Sequence, residues 1–410
     1  MTLPASVRAE DVGMSSAQLA RIDAHLNRRY LDTKKIAGAL TVVSRRGQVA
    51  YASPIGMMDM DRGKPMREDT IFRIYSMSKP ITSVALMTLY EQGEFQLDDP
   101  VHKWIPEWRD LRVYAQGNYP NFITTPCERP MTVRDLMTHQ SGLTYGFMER
   151  TNVDRAYRRL DVGGAAAGGT LREMIEKLAG LPLEFSPGTR WNYSVATDVL
   201  GYLVEVMSGK RFDEFLQDHV FGPLGMVDTG FTVPPEKLDR FAANYNRGPD
   251  KQIRLEDDPE TSEYARPRTF LSGGGGLVST AADYLRFCRM LLAGGTLDGE
   301  RILGRKTIEL MTMNHLPEGQ DLSTLGFGTF SETTYDGVGF GLGFSVALDP
   351  ARAQLIGSVG EYAWGGAAST AFWIDPAEDL IVVFMTQFMP SGTFNFRGQL
   401  KTLIYPALID

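Results

Sequence analysis

The strand-forming segments of this sequence lie near its two ends. Ala37 to Ser44 and Gln48 to Ala52 are rich in β-branched and apolar residues, and the polar Arg45-Arg46-Gly47 between them is a connection of hairpin type. At the other end, Ala353 to Gly357, Thr370 to Ile374 and Leu380 to Thr386 carry the same signal, the last two joined by the turn-rich Asp375-Pro376-Ala377-Glu378-Asp379. Both ends are therefore expected to build one sheet together, with an antiparallel start. Residues 15 to 31 read as an amphipathic helix that packs on it: Ser15 can cap it, Gln18 stands where a capping box wants Glu or Gln, and Leu19, Ile22, Leu26 and Tyr30 share one face.

The middle of the chain reads differently. Val133 to Thr138, Leu171 to Ala179, Ala196 to Met207 and Arg211 to Val220 have helical patterning and alternate with Gly- and Pro-rich loops. The expected architecture is α+β: a mainly antiparallel sheet flanked by helices from residues 1–95 and 270–410, and a mainly helical insertion over 96–269. The small-residue run 163–169 reads as a flexible loop, and Ser272-Gly273-Gly274-Gly275-Gly276 as the point where the chain returns to the sheet.

Composition excludes several functions. A net charge of -8, with no dense Lys/Arg patch, disfavours nucleic acid as a partner. Two cysteines, Cys127 and Cys288, are too few for a disulfide scaffold, lie in no zinc-type cluster, and are expected to be free thiols. Neither a P-loop nor a dinucleotide fingerprint occurs, so no cofactor is expected. The acidic run Leu255 to Glu260 reads as a solvated loop and not as a calcium site. Residues 1–10 lack a signal-peptide apolar core, and no apolar run of spanning length follows; the expectation is a cytoplasmic protein with no membrane partner, of open oligomeric state, a homodimer included.

The chemistry concentrates at Phe72-Arg73-Ile74-Tyr75-Ser76-Met77-Ser78-Lys79-Pro80, followed by an apolar helical stretch, Ile81 to Glu91, that ends near Gly93. Ser76 and Lys79 stand three residues apart at a helix start, so their side chains share one face and the amine can reach the hydroxyl. A serine hydroxyl needs a neighbouring base, and a lysine serves only when burial or nearby positive charge depresses its pKa. Pro80 is tolerated because first-turn N–H groups have no partner within the helix. The five histidines have no G-x-S-x-G elbow to serve; Gly343 to Ala347 reads as strand, and His139 as a hydrogen-bonded structural residue.

Two further motifs follow in order, Thr132-Val133-Arg134-Asp135-Leu136-Met137-Thr138-His139-Gln140-Ser141-Gly142-Leu143 and Pro187-Gly188-Thr189-Arg190-Trp191-Asn192-Tyr193-Ser194. Together with the first they resemble the serine β-lactamase and penicillin-binding-protein superfamily, and within it the family VIII carboxylesterases, relatives of class C β-lactamases. Gly273 to Thr280 and Gly339-Phe340-Gly341-Leu342-Gly343 extend the likeness over nearly the whole chain.

The resemblance implies a β-lactamase-like fold with the active site in a crevice between lobes. It makes Ser76 the acylated nucleophile, Lys79 its proton acceptor or the group that tunes it, and Tyr193 the tyrosine of the superfamily's Y-x-N motif. The N–H groups of Ser76 and Ala367 would form the oxyanion hole, and Trp364-Gly365-Gly366 would stand where relatives carry K-T-G and would line the substrate site. Two departures matter. Trp364 replaces a cationic lysine with apolar surface and one N–H donor, and Val195 replaces the asparagine two residues after the tyrosine. Both favour a neutral small-molecule ester, and the resemblance implies a short or medium acyl chain. A β-lactamase or D-amino-acid peptidase with the same nucleophile is the competing enzyme, and a non-catalytic recognition protein the competing binder.

Overall fold

The computed structural model describes residues 3, 6–163, 168–327 and 335–410. Its centre is an eight-stranded sheet. The N-terminal part supplies β1 (Gly38–Arg45), β2 (Gln48–Asp59) and β3 (Lys64–Pro65), and the C-terminal part β4 (Val338–Phe340), β5 (Ser345–Ala347), β6 (Tyr362–Gly365), β7 (Ala371–Asp375) and β8 (Leu380–Thr386). The order is β4-β5-β6-β7-β8-β1-β2-β3, and every neighbouring pair is antiparallel. The two chain ends meet where β8 pairs with β1, from Ala39 opposite Thr386 to Arg45 opposite Leu380.

Period-two alternation places each strand's side chains on opposite faces. In β8, Leu380, Val382 and Phe384 point to one face, against Leu19, Ile22, Leu26 and Tyr30 of the N-terminal helical segment and against the C-terminal helix Phe396–Ile404. Ile381, Val383 and Met385 point to the other, into the larger core that holds the apolar helix Ser78–Glu91. β8 is buried along its whole length, so each such Val, Ile or Leu contributes about 2 kcal/mol, and a charge at Val382 would break the packing of the layer against the N- and C-terminal helices. The β1–β2 turn is Arg46-Gly47, both at positive φ (52° and 71°), the geometry that matches strand twist in two-residue hairpins.

Ser15 caps the first helix by accepting the Gln18 N–H, as its sequence suggests, but the helix is interrupted at Ala20 and ends as a π turn over Asn27–Leu31. The segment 353–357, expected as strand, is not one. Asp349 caps the N–H groups of Ala351 and Arg352, Pro350 fixes the first helical position, and a short helix Pro350–Ala353 forms and ends at Gln354 with φ 54°. The strand lies further on, as β6.

The middle of the chain has the expected helices, including Leu171–Ala179 and Ala196–Ser208, but also two antiparallel ladders. Arg112–Asn118 pairs with Asn121–Pro126, and Asn244–Arg247 pairs with Ile253–Asp257. The acidic run therefore begins in a strand, and its Asp257 carboxylate takes the buried Arg73 guanidinium at 2.6 Å. After the glycine run, Val278–Thr280 pairs with Ile71–Arg73 in a small separate ladder, and the helix Ala281–Leu292 then packs on β8. Residues 164–167 of the small-residue run lie outside the described residues. Cys127 and Cys288 are free thiols. No helix among the described residues is long and apolar enough to cross a membrane.

Candidate active site

Three segments distant in sequence meet at Ser76. The strand Ile71–Arg73 runs into a 3-10 turn, Tyr75–Met77, and then into helix α1 (Ser78–Glu91). Tyr75 sits at φ 41°, a left-handed conformation that costs a bulky side chain on the order of 1 kcal/mol or more. Neighbours hold the turn in this shape. Ile74 N–H donates to the Leu277 carbonyl at 3.1 Å, the Tyr284 hydroxyl donates to the Met77 carbonyl at 3.0 Å, and Leu277 N–H donates to Ser78 Oγ at 3.1 Å. Ser76 thus ends half-buried just ahead of α1, with Lys79 in the helix's first turn.

Lys79 is 2% exposed, and among the described residues no carboxylate lies at ion-pair distance. Its Nζ lies 3.1 Å from Ser76 Oγ and donates to the Gly274 carbonyl at 2.6 Å. Burial lowers the amine's pKa to about 7, with the buried Asp198 acting in the opposite direction. Near neutral pH a large share of Lys79 is therefore the free base.

Tyr193 Oη donates to Ser76 Oγ at 2.5 Å. Burial pushes the phenol above its ordinary range, while the Ser76 hydroxyl and the Trp364 indole pull it down, so it stays protonated at neutral pH. One arrangement of protons satisfies the cluster: Tyr193 donates to Ser76, Ser76 donates to the neutral Lys79 amine, and Lys79 donates to Gly274.

The second motif builds the frame for that tyrosine. His139 C=O accepts Asn192 N–H at 2.9 Å, Thr144 C=O accepts Val195 N–H at 3.2 Å, and Gln140 C=O accepts Gly188 N–H at 2.8 Å. The Asn192 side chain donates to the Leu143 carbonyl at 2.9 Å. His139 itself has φ 56°, places Nδ1 3.2 Å from Ser194 Oγ, and packs its ring 5.0 Å from that of Tyr193. Burial and the nearby Lys79 hold its pKa well below the ordinary histidine value, so it is a neutral structural ring.

Trp364, near the end of β6, is half-buried, with ring centroids 5.6 Å from Tyr193 and 5.3 Å from Phe340. A side chain at Gly366 would come within 2.4 Å of the Ile74 carbonyl, and one at Gly365 within 2.6 Å of Arg397 Nη2. Gly366 lets the end of β6 press against the segment leading into the Ser76 turn, and Gly365 makes room for Arg397 of the C-terminal helix; the space they leave is filled by protein rather than opened to a ligand. Among the described residues no acceptor takes the Ala367 N–H in the following turn, so it is available as a donor. Val195 is fully buried and faces Gly163, and it brings no polar side-chain group to the site.

The sequence reading missed Asp198, Ser272 and Gly274. Asp198 lies in the first turn of helix α2 (Ala196–Ser208), is fully buried, and accepts from Ser272 Oγ at 2.5 Å and Gly274 N–H at 3.0 Å. The available signal was a lone carboxylate in the otherwise uncharged first turns of an apolar helix, which is costly to bury unless it serves a purpose. No cluster of His, Cys, Asp or Glu able to hold a metal occurs among the described residues.

A beta-lactamase family model matches residues 24–404. The chain is 38% identical over 366 residues to protein Rv1367c of Mycobacterium tuberculosis, covering 88% of each. It is 33% identical over 409 residues to esterase EstB of Burkholderia gladioli, covering 95% of each. Among solved structures it matches EstCE1, described as a hydrolase with promiscuous acyltransferase activity, with a TM-score of 0.79 and 28% identity, covering 95% of this chain and 99% of the other.

Proposed function

The chain belongs to the beta-lactamase family and is a serine hydrolase of that superfamily, and from this premise we propose that it is a carboxylesterase of the family VIII type. The observation that carries the proposal is that one hydroxyl, Ser76 Oγ, is met by an amine with a pKa of about 7 and by a phenol donating at 2.5 Å.

Ser76 Oγ attacks the ester carbonyl carbon as its proton passes to Lys79 Nζ. The carbonyl oxygen becomes an oxyanion held by the N–H groups of Ser76 and Ala367, the first of which lies beside the positive end of α1. Collapse breaks the bond to the alkoxy oxygen, which takes the Tyr193 proton and leaves as the alcohol; Lys79 returns its proton to the phenolate. Water then attacks the acyl-enzyme and gives a proton to the same amine–phenol pair. The acid departs as Ser76 Oγ is reprotonated, and no net charge or proton is left over.

Trp364, in the position where β-lactamases hold a cationic lysine, puts an aromatic wall in place of that cation. That favours neutral esters over β-lactams and peptides and leaves at most weak β-lactamase activity; by analogy with the family the acyl chain is short or medium. Turnover of a p-nitrophenyl ester beside a chromogenic cephalosporin tests the substrate class; faster cephalosporin turnover would reassign the site. A fluorophosphonate should label wild type at Ser76 and leave Ser76→Ala untouched, whereas no label on wild type would make the crevice a recognition site only.

A further inference from the structure

We propose that Asp198 is the positioning residue for Lys79: it clamps the 272–276 segment so that the Gly274 carbonyl fixes the amine on Ser76, and it sets a buried negative charge facing that amine. The proposal rests on Ser76 being the nucleophile.

The clamp is visible in the bonds. Gly274 gives its N–H to Asp198 and receives Lys79 Nζ on its carbonyl, so one residue joins α2 to the reactive amine. Thr82 Oγ1 of α1 donates to the Gly273 carbonyl at 2.8 Å, gripping the segment from the other side. The fit excludes side chains. A Cβ on Gly273 would come within 2.7 Å of the Thr197 carbonyl, and one on Gly274 within 2.7 Å of Tyr145 Oη and 2.8 Å of Asp198 Oδ2. Glycine is required here by close approach rather than by backbone conformation.

The charge needs a separate explanation. In both hydrogen bonds of its side chain Asp198 only accepts, and both go to Oδ1; an asparagine carbonyl could accept the same two at a lower desolvation cost. Oδ2 has no hydrogen-bond partner in its buried position. A buried carboxylate oxygen left unsatisfied destabilises the fold, so anchoring alone does not account for aspartate. What the carboxylate adds is negative charge: burial raises its pKa, while the Ser272 hydroxyl, Lys79 and the Gly274 N–H act in favour of the ionised form. The other titratable groups around Lys79 are Tyr193, Tyr145 and His139; burial keeps both phenols protonated and the imidazole neutral, so Asp198 is the one among them that opposes the loss of the lysine's proton with a negative charge. A base is most effective with its pKa near the working pH, and Asp198 keeps Lys79 from becoming too weak.

Asp198→Asn separates charge from anchoring. With a p-nitrophenyl ester it should leave KM unchanged, lower kcat by about 10-fold to 100-fold, and move the acidic limb of kcat/KM to lower pH by about half a unit or more. Asp198→Glu, which restores the charge, should return the limb toward its wild-type position. A limb that stays in place in Asp198→Asn while the rate falls would make the residue a packing element, and an unchanged rate would remove it altogether; either overturns the proposal. If Asp198→Asn does not fold, Ser272→Ala carries the test: losing one of two donors raises the carboxyl's pKa and should shift the limb the same way, and an unmoved limb overturns the idea. Fluorophosphonate labelling in parallel keeps the two readings apart, because failure of the nucleophile assignment would show as an unlabelled Ser76 in wild type.

Discussion

Two lysines of this protein are buried, and they are treated in opposite ways. Lys401, on the C-terminal helix, has both Glu361 carboxylate oxygens on its Nζ, and Tyr405 Oη bridges Glu361 and Asp375 at 2.7 Å to each. Lys79, equally hidden, is offered a carbonyl, a hydroxyl and two aromatic faces, while the nearby Asp198 carboxylate is turned to Ser272 and Gly274. Burial alone therefore does not make a base of lysine. Withholding the direct counter-ion does, because the desolvation of the ammonium is then only partly offset and the pKa falls to about 7.

The contrast is tested most strongly by removing each amine. Lys79→Met should lower kcat/KM by about 10³-fold or more, the upper part of the range for a positioned proton acceptor, with the melting temperature held or raised because a buried polar group has gone. Lys401→Met should do the reverse, sparing kcat/KM but costing about 3 kcal/mol or more of stability, since Glu361 is left buried without its partner. Esterase assays and thermal melts of the two variants decide it; a large stability loss in Lys79→Met would mean that its burial is compensated after all.

Tyr193→Phe comes next. Removing the hydroxyl that donates to Ser76 should reduce turnover by about 10²-fold with folding preserved, and near-wild-type rates would take the phenol out of the proton path. The pH profile belongs with it. Because Lys79 accepts a proton only when neutral, kcat/KM should rise with pH through an apparent pKa of about 7 and fall about tenfold per unit below it. A profile flat from pH 5 to 8 would show that the lysine's protonation does not control the rate.

The same contrast explains what the sequence made legible. Segments that follow a period were readable: Leu380–Thr386 alternates between two apolar layers, and Leu19, Ile22, Leu26 and Tyr30 recur on one helix face. Ser76 and Lys79 could be paired because three residues on a helix is itself a geometry. Tyr193 could not be placed by period or spacing, since its position depends on backbone bonds from His139, Gln140 and Thr144, distant in sequence; only its likeness to a family motif singled it out. Gly274 and Asp198 were hidden more deeply, because their role lies in atoms every residue possesses, or in a charge that looks like an ordinary helix start. The strand expected at 353–357 failed for a local reason: Asp349 and Pro350 form a helix start that outweighs a short apolar run.

The smallest effect concerns the aromatic faces. Lys79 Nζ stands 4.4 Å from the centroid of Tyr193 and 5.2 Å from that of Tyr145, close enough for each ring to stabilise the ammonium form. Part of what Lys79 lacks in a bonded carboxylate is thus supplied by the rings, and weakening that supply should depress its pKa further. Tyr145→Leu removes one face while keeping an apolar neighbour; a cation–π contact of about 0.5 kcal/mol corresponds to a fall of about 0.4 pH unit in the acidic limb of kcat/KM. Tyr145→Phe keeps the face and should leave the limb in place. A limb moved upward in Tyr145→Leu would mean that water has entered and resolvated the amine, so that the ring's part in the site is to exclude solvent rather than to hold charge.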